Sequence, residues 1–233
     1  MKPEKIRGLV LREYEAGESD KRLVILAKDK GRRLVYARGA RKATSKYMHG
    51  AQSFTYADFV INKGNGFYTL SQVEIIENFY PLREDYDRLM AAYAITQACD
   101  QTLWDDIESN DLLRLALYGL HYLAKGEILP DQVLSVFLIR FFDVFGFRPD
   151  MESCQVCGAG VGSIARAAIC KEGLVCYHHK PLEYAPAGPA TLAAMAHILD
   201  VDGRSSFLFN AGENVLGELR GIREMLWAVN FEG

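Results

Sequence analysis

No run of apolar residues in this 233-residue chain reaches the eighteen or so that a membrane-spanning helix needs. The most apolar segment, Val133 to Phe147, is broken by Arg140 and Asp143. Met1-Lys2-Pro3-Glu4-Lys5 is not followed by the apolar core of a secretory signal, so a cytoplasmic location is expected. Gly-rich phosphate loops, a Gly-x-Ser-x-Gly elbow and a His-Glu-x-x-His pair are all missing. Gly158-x-Gly160-x-Gly162 is flexible but does not follow a strand. Histidine is scarce, with five in all. The carboxylate pairs Glu84-Asp85 and Asp105-Asp106 fall on helix-like surfaces or starts. Together these absences speak against an enzyme. Cysteine is also sparse, at five, and in the cytoplasm that favours free thiols or metal ligands over a disulfide framework.

The remainder is ordinary globular material, 49% hydrophobic and 24% charged, which excludes collagen-like and disordered chains. The length suits one large or two modest domains. The net charge of −3 conceals two unlike halves. Residues 1–80 carry fifteen Lys and Arg against nine Asp and Glu, whereas the rest carries twelve against twenty-one. Between positions 21 and 50 there are ten basic residues and one acid, Asp29. Such an excess is the footprint of a polyanion site, or else a solvated basic face.

Pattern separates the halves again. Lys5 to Glu13, Arg22 to Lys28, Arg32 to Arg38, Ser53 to Asn62 and Phe67 to Ile76 are rich in Val, Ile, Leu, Tyr and Phe and read as strands. Asp29-Lys30-Gly31 and Gly64-Asn65-Gly66 suit tight hairpins. Five short strands in about 80 residues suit a small barrel. After Pro81 the period becomes helical, over Leu82 to Thr102, Leu112 to Lys125, Pro130 to Phe145, 187–200 and 212–229. The expected organisation is a β domain over 1–80 and a helical domain over 81–233.

The sharpest chemical signal is Cys154-x2-Cys157 followed by Cys176-x2-His179. Two close pairs at this separation read as a zinc ribbon or knuckle, here at about 151–183. Four ligands close a tetrahedron, so the Zn²⁺ would be structural. His178 competes with His179 for the fourth place, and Cys170 is a further substitute, although Ala167-Ala168-Ile169 before it suggests a packed position. Cys99 reads as a core thiol.

Taken together these residues resemble the bacterial RecO family of DNA repair proteins. The resemblance is carried by Ile6 to Leu11, Glu18 to Arg22, Gly31-Arg32-Arg33, Ala37 to Lys42, Ser45-Lys46, Arg83-Glu84-Asp85, Ala92-Tyr93, Phe137 to Arg140, Gly146-Phe147-x-Pro149 and Cys154-x2-Cys157-Gly158. It spans residues 1 to about 180. The family's commonest fourth ligand is Cys, and here the position holds His179. The resemblance implies an α+β protein: an N-terminal five-stranded OB-fold barrel followed by a helical domain containing a small zinc module. It implies a cytoplasmic, nucleoid-associated recombination mediator that binds single- and double-stranded DNA and anneals complementary strands. Its partners would be RecR and single-stranded DNA-binding protein, with a functional link to RecA loading.

Cations that contact phosphates give affinity without sequence preference, as annealing requires. The candidate phosphate contacts are Arg32, Arg33, Arg38, Arg41, Lys42 and Lys46. Tyr36 and Tyr47 are stacking candidates, or else barrel core. Arg140 is a candidate rim for the acidic, apolar tail of a partner, or else pairs internally with Asp143. The rival reading is a protein-interaction adaptor whose basic barrel binds an acidic partner.

Overall fold

Strand-forming residues and turn chemistry divide the first 77 residues into five strands. The computed structural model describes residues 3–64, 67–102 and 107–232. The strands are β1 (Pro3–Ala16), β2 (Asp20–Ala27), β3 (Gly31–Ala37), β4 (Tyr56–Lys63) and β5 (Tyr68–Glu77). They close a barrel in the order β1-β2-β3-β5-β4, with β3 and β5 parallel and the other pairs antiparallel. This is the five-stranded OB-type barrel expected. Closure removes the open edges that a five-stranded sheet would otherwise present. β1 bends at a bulge between Val10 and Arg12 and so serves both neighbours.

Alternation fills the interior with Ile6, Val10, Leu23, Ile25, Val35, Ala37, Phe59, Ile61 and Leu70. The β2–β3 turn forms as its residues dictate, with Asp29 at φ 60° and Gly31 at φ 62°. A Cβ at Gly31 would lie 2.1 Å from the Ile107 carbonyl oxygen, so only glycine fits. In the second expected hairpin, Asn65 and Gly66 lie outside the described residues, as do Asp105 and Asp106. The fourth strand starts three residues later than its composition suggests. Phe54 turns left-handed at φ 71°, and its N–H donates to the Val10 carbonyl, so Ser53 to Thr55 plug the bulge rather than extend β4.

Strand gives way to helix at Pro81, but the compact unit containing the barrel runs on, as Met1–Glu127. It takes in α1 (Tyr86–Thr102) and α2 (Asn110–Lys125). The physical cause is the outer face of the barrel. Leu9, Leu11, Val24 and Leu26 are fully buried although they lie opposite the interior residues. α1 packs over β1 and β2, and α2 over β1. Phe54 meets Tyr93 of α1 edge to face at 4.9 Å. α2 ends on Gly126, whose left-handed N–H returns to the Tyr122 carbonyl.

The second unit, Ile128–Gly233, holds α3 (Pro130–Val144), α4 (Pro189–Asp200) and α5 (Glu213–Trp227), with a small sheet of β6 (Ala167–Ile169), β7 (Leu174–Cys176) and β8 (Ala185–Ala187) in the order β7-β6-β8. α3 opens on Pro130, which sets the first helical turn. Its Val133, Val136, Phe137, Ile139, Phe141 and Phe142 are buried, and Trp227 and Phe231 complete an aromatic cluster around Phe141. Asp131 on α3 binds both Arg220 and Arg223 of α5, each at 2.8 Å. None of the described helices is long and apolar enough to cross a membrane.

Candidate nucleic-acid interface and metal centre

The pleat of β3 decides which of its cations reach solvent. Arg32, Leu34 and Tyr36 share the outer face, while Arg33 shares parity with the buried Val35 and Ala37. Arg33 is accordingly 4% exposed. Its guanidinium donates to the Arg32 carbonyl at 2.9 Å and lies 5.8 Å from the Tyr68 ring centroid. This departs from the expectation of a phosphate contact: Arg33 belongs to the barrel. Arg32 is half-buried and pairs with Asp100 of α1, which Arg12 also approaches, at 3.3 and 3.4 Å.

Beyond β3 the chain turns at Gly39, φ 67°, whose N–H donates to Asp20 at 2.7 Å. That bond, and then Ser19, Arg38 and Lys42, hold the Asp20 carboxyl below its ordinary pKa. Asp20 thus pins the turn that displays Arg38 and Lys42, both exposed. Arg41 folds back on the β1–β2 turn, binding Glu15 at 2.9 Å and the Gly17 and Glu18 carbonyls. Lys46 reaches β5 instead: its Nζ donates to the Ser71 carbonyl at 3.1 Å and lies 4.9 Å from the Tyr47 ring. With Lys5, Gln72 and Glu74 it lines a groove of about 510 Å³. Tyr47 packs against the barrel core and its hydroxyl donates to the Ser71 carbonyl, so its role is structural.

One row on the outer face escapes a reading of the sequence by segments. Tyr14 on β1 lies opposite Arg22 on β2, and Arg22 opposite Tyr36 on β3. Phe67 meets Tyr36 edge to face at 5.4 Å. The Arg22 guanidinium stands 5.1 Å from the Tyr14 centroid, and Arg12 donates to the Tyr14 hydroxyl. Tyr14 is 37% and Phe67 40% exposed, high values for aromatic rings. Arg22 pairs with no carboxylate among the described residues, and its Nε has no hydrogen-bond partner there. Counting outward from the turns would find this row, since Ala16 opposes Asp20 and Ala27 opposes Gly31.

Cys154, Cys157, Cys176 and His179 come together with ligand atoms within 4.8 Å of one another. The Cys157 and Cys176 sulfurs are 3.8 Å apart, and Cys154 Sγ lies 3.6 Å from His179 Nδ1. A tetrahedral ion with bonds of about 2.3 Å to sulfur and 2.0 Å to nitrogen has edges of about 3.8 and 3.5 Å. The donor set therefore fits a metal ion. The first pair turns at Gly158, φ 70°, with its N–H on the Cys154 carbonyl. The second begins at the last residue of β7, and the Cys176 N–H donates to Cys154 Sγ at 3.3 Å. Burial would raise the Cys154 thiol, but the N–H groups of Cys176, Cys157 and Val156 outweigh it and bring the pKa down to about 5. Cys176 is pushed up to about 11 by burial and by the two neighbouring sulfurs. His178 lies outside the group. So does Cys170, which is buried and donates to Glu172 and the Gly173 carbonyl. Cys99 is fully buried, and burial raises its thiol pKa strongly.

The chain matches two family models, Recombination protein O N terminal over residues 1–79 and Recombination protein O C terminal over 83–227. The chain belongs to the RecO family. It is 32% identical over 224 residues to the DNA repair protein RecO of Acetivibrio thermocellus, covering 94% of this chain and 88% of that one. It is 35% identical over 173 residues to the RecO of Alkaliphilus metalliredigens, covering 74% and 70%. It is 32% identical over 225 residues to that of Heliobacterium modesticaldum, covering 93% and 81%. The family is one of DNA repair, and the barrel of this RecO chain coincides with the N-terminal model.

In the second unit of this RecO chain Arg140 follows the internal of the two readings offered for it, the pairing with Asp143, and is not a free rim. It donates to the Ile198 and Leu199 carbonyls, at 3.4 and 2.9 Å, and pairs with Asp143 at 3.5 Å. It caps the C-terminus of α4, where a cation meets unpaired carbonyls. Arg148, which no sequence motif marks, joins it by donating to the Leu199 carbonyl at 2.8 Å and pairing with Asp200.

Proposed function

We propose that this RecO-family chain is a DNA-binding recombination mediator that anneals complementary single strands and, with RecR, helps load RecA onto strands coated by single-stranded DNA-binding protein. The observation that carries the reading is the outer row of Tyr14, Arg22, Tyr36 and Phe67 beside the displayed Arg38 and Lys42. Cations neutralise phosphates and release counterions without regard to sequence. Exposed rings accept any base, because every base has a π-face. Annealing needs both properties, and neutralisation also weakens repulsion between the incoming strands. Arg32, Arg41 and Lys46 contribute more weakly, since each already has an internal partner. The chain acts without catalysis, in the cytoplasm and on the nucleoid.

We infer further that the ion held by Cys154, Cys157, Cys176 and His179 is Zn²⁺. Three thiolates and an imidazole suit a borderline-soft cation, and four protein ligands leave no open position. The metal joins segments of the module and takes part in no reaction. A salt series of oligonucleotide binding tests the DNA reading. Tight binding at low salt with a steep salt slope is expected. No binding at any salt, together with binding to an acidic protein, would support the adaptor reading instead.

A further inference from the structure

Four arginines of the second unit are internally neutralised: Arg140, Arg148, Arg220 and Arg223 all pair with carboxylates. The metal module differs. Its Arg166 and Lys180 pair with no carboxylate among the described residues, and both stand against tyrosines. Arg166 Cζ lies 4.5 Å from the Tyr177 centroid. Lys180 Nζ lies 4.6 Å from Tyr177 and 5.1 Å from Tyr184. The two rings meet edge to face at 6.0 Å. Two like charges are thus gathered on one ring pair, with no carboxylate paired to either among the described residues.

We propose that this cluster is a second nucleic-acid contact, with Arg166 and Lys180 binding backbone phosphate and Tyr177 and Tyr184 receiving a base. The proposal rests on the reading of the chain as a DNA-binding protein but assigns a site outside the barrel. Its frame is preformed. The Tyr177 N–H donates to the Arg166 carbonyl at 2.9 Å, at the end of the β6–β7 pairing. Tyr177 follows Cys176 and Lys180 follows His179, so the metal ligands fix both ends of the short turn between them. Lys180 and both rings are half-buried, and Arg166 is exposed. A cation over a ring keeps donors free on its outer side, and such cation–aromatic pairs accept phosphate and base together. The neighbouring Leu182 is fully exposed, and offers apolar surface to a base beside the rings. An acidic peptide would use the charges and leave the rings unused, so nucleic acid is the better fit.

The test uses the full chain and a fluorescent oligothymidylate across a salt series. Arg166→Gln with Lys180→Gln removes two phosphate contacts. The single-strand salt slope is expected to fall by about 1.4, at about 0.7 per contact. Lys171→Gln, on the same module but away from the rings, leaves the slope unchanged. Metal content and melting temperature check that the module is intact, and Arg166→Gln alone, exposed and not adjacent in sequence to a metal ligand, should give half the effect. Bromodeoxyuridine crosslinking should label Tyr177 or Tyr184. If wild type binds and the double variant keeps its slope, this contact is refuted while the barrel reading stands. If wild type binds no oligonucleotide, both fail. If polyglutamate of equal charge binds wild type as tightly as the oligonucleotide and is lost equally in the variant, the site takes an acidic protein and the nucleic-acid assignment is overturned.

Discussion

Removing Arg22, Arg38 and Lys42 together, each changed to Ala, should flatten the salt dependence of single-strand binding by a calculable amount. These three cations pair with no carboxylate through a short ion pair among the described residues, whereas Arg32 pairs with Asp100 and Arg41 with Glu15. A cation already paired releases fewer counterions, so the unpaired ones should dominate the slope. If about five phosphates are engaged, the slope is about −3.5, and affinity falls about 130-fold between 50 and 200 mM salt. With three contacts gone, the slope is about −1.4 and the same change weakens binding about 7-fold. Fluorescence anisotropy of a labelled oligothymidylate reads both. A triple variant with the wild-type slope would refute the assignment of the outer face. Arg33→Met provides the contrast: a buried residue whose loss should lower the melting temperature and leave the slope alone.

Other expectations follow from the same structure. Tyr36→Ala with Phe67→Ala should weaken oligonucleotide binding by about 1–3 kcal/mol per base unstacked, at unchanged slope, measured by the same titration. Freshly purified protein should carry one metal ion per chain by elemental analysis, and chelation should raise hydrogen exchange around residues 150–187 while the barrel strands stay protected. Asp131 is held below its ordinary pKa: burial opposes this, but Arg220 and Arg223 outweigh it. Its contribution is therefore full above the unfolded value of about 3.9 and is lost as pH falls through the folded one. Asp131→Asn should cost about 2 kcal/mol at pH 7, less than for a fully buried pair because Asp131 is partly exposed, and thermal melts should show the difference closing below about pH 4.

Much of this is legible in the sequence. Alternation and turn residues gave the strands of the barrel, and Pro81 marks where strand gives way to helix. Cysteine spacing names the metal group and favours His179, and the geometry leaves His178 and Cys170 outside it. What was missed has definite causes. Leu23 to Ala27 is apolar without alternation, the mark of a strand covered on both faces, and it announces helices on the outside of the barrel. Charge alone groups Arg33 with the phosphate contacts, whereas its parity with Val35 and Ala37 places it inside. The outer row of Tyr14, Arg22 and Tyr36 depends on register, which a search by segments ignores. The bonds of Arg140 to the end of α4 join residues 58 and 59 positions apart, and no local pattern reports them.

The most direct test of the central claim is the rate at which two complementary labelled oligonucleotides anneal, followed by energy transfer at low salt. The account predicts that the wild-type chain accelerates annealing over the spontaneous rate, and that the Arg22, Arg38 and Lys42 variant loses most of that acceleration while still folded. Single strands bound tightly by the wild type with no acceleration, or an unimpaired variant, would contradict it.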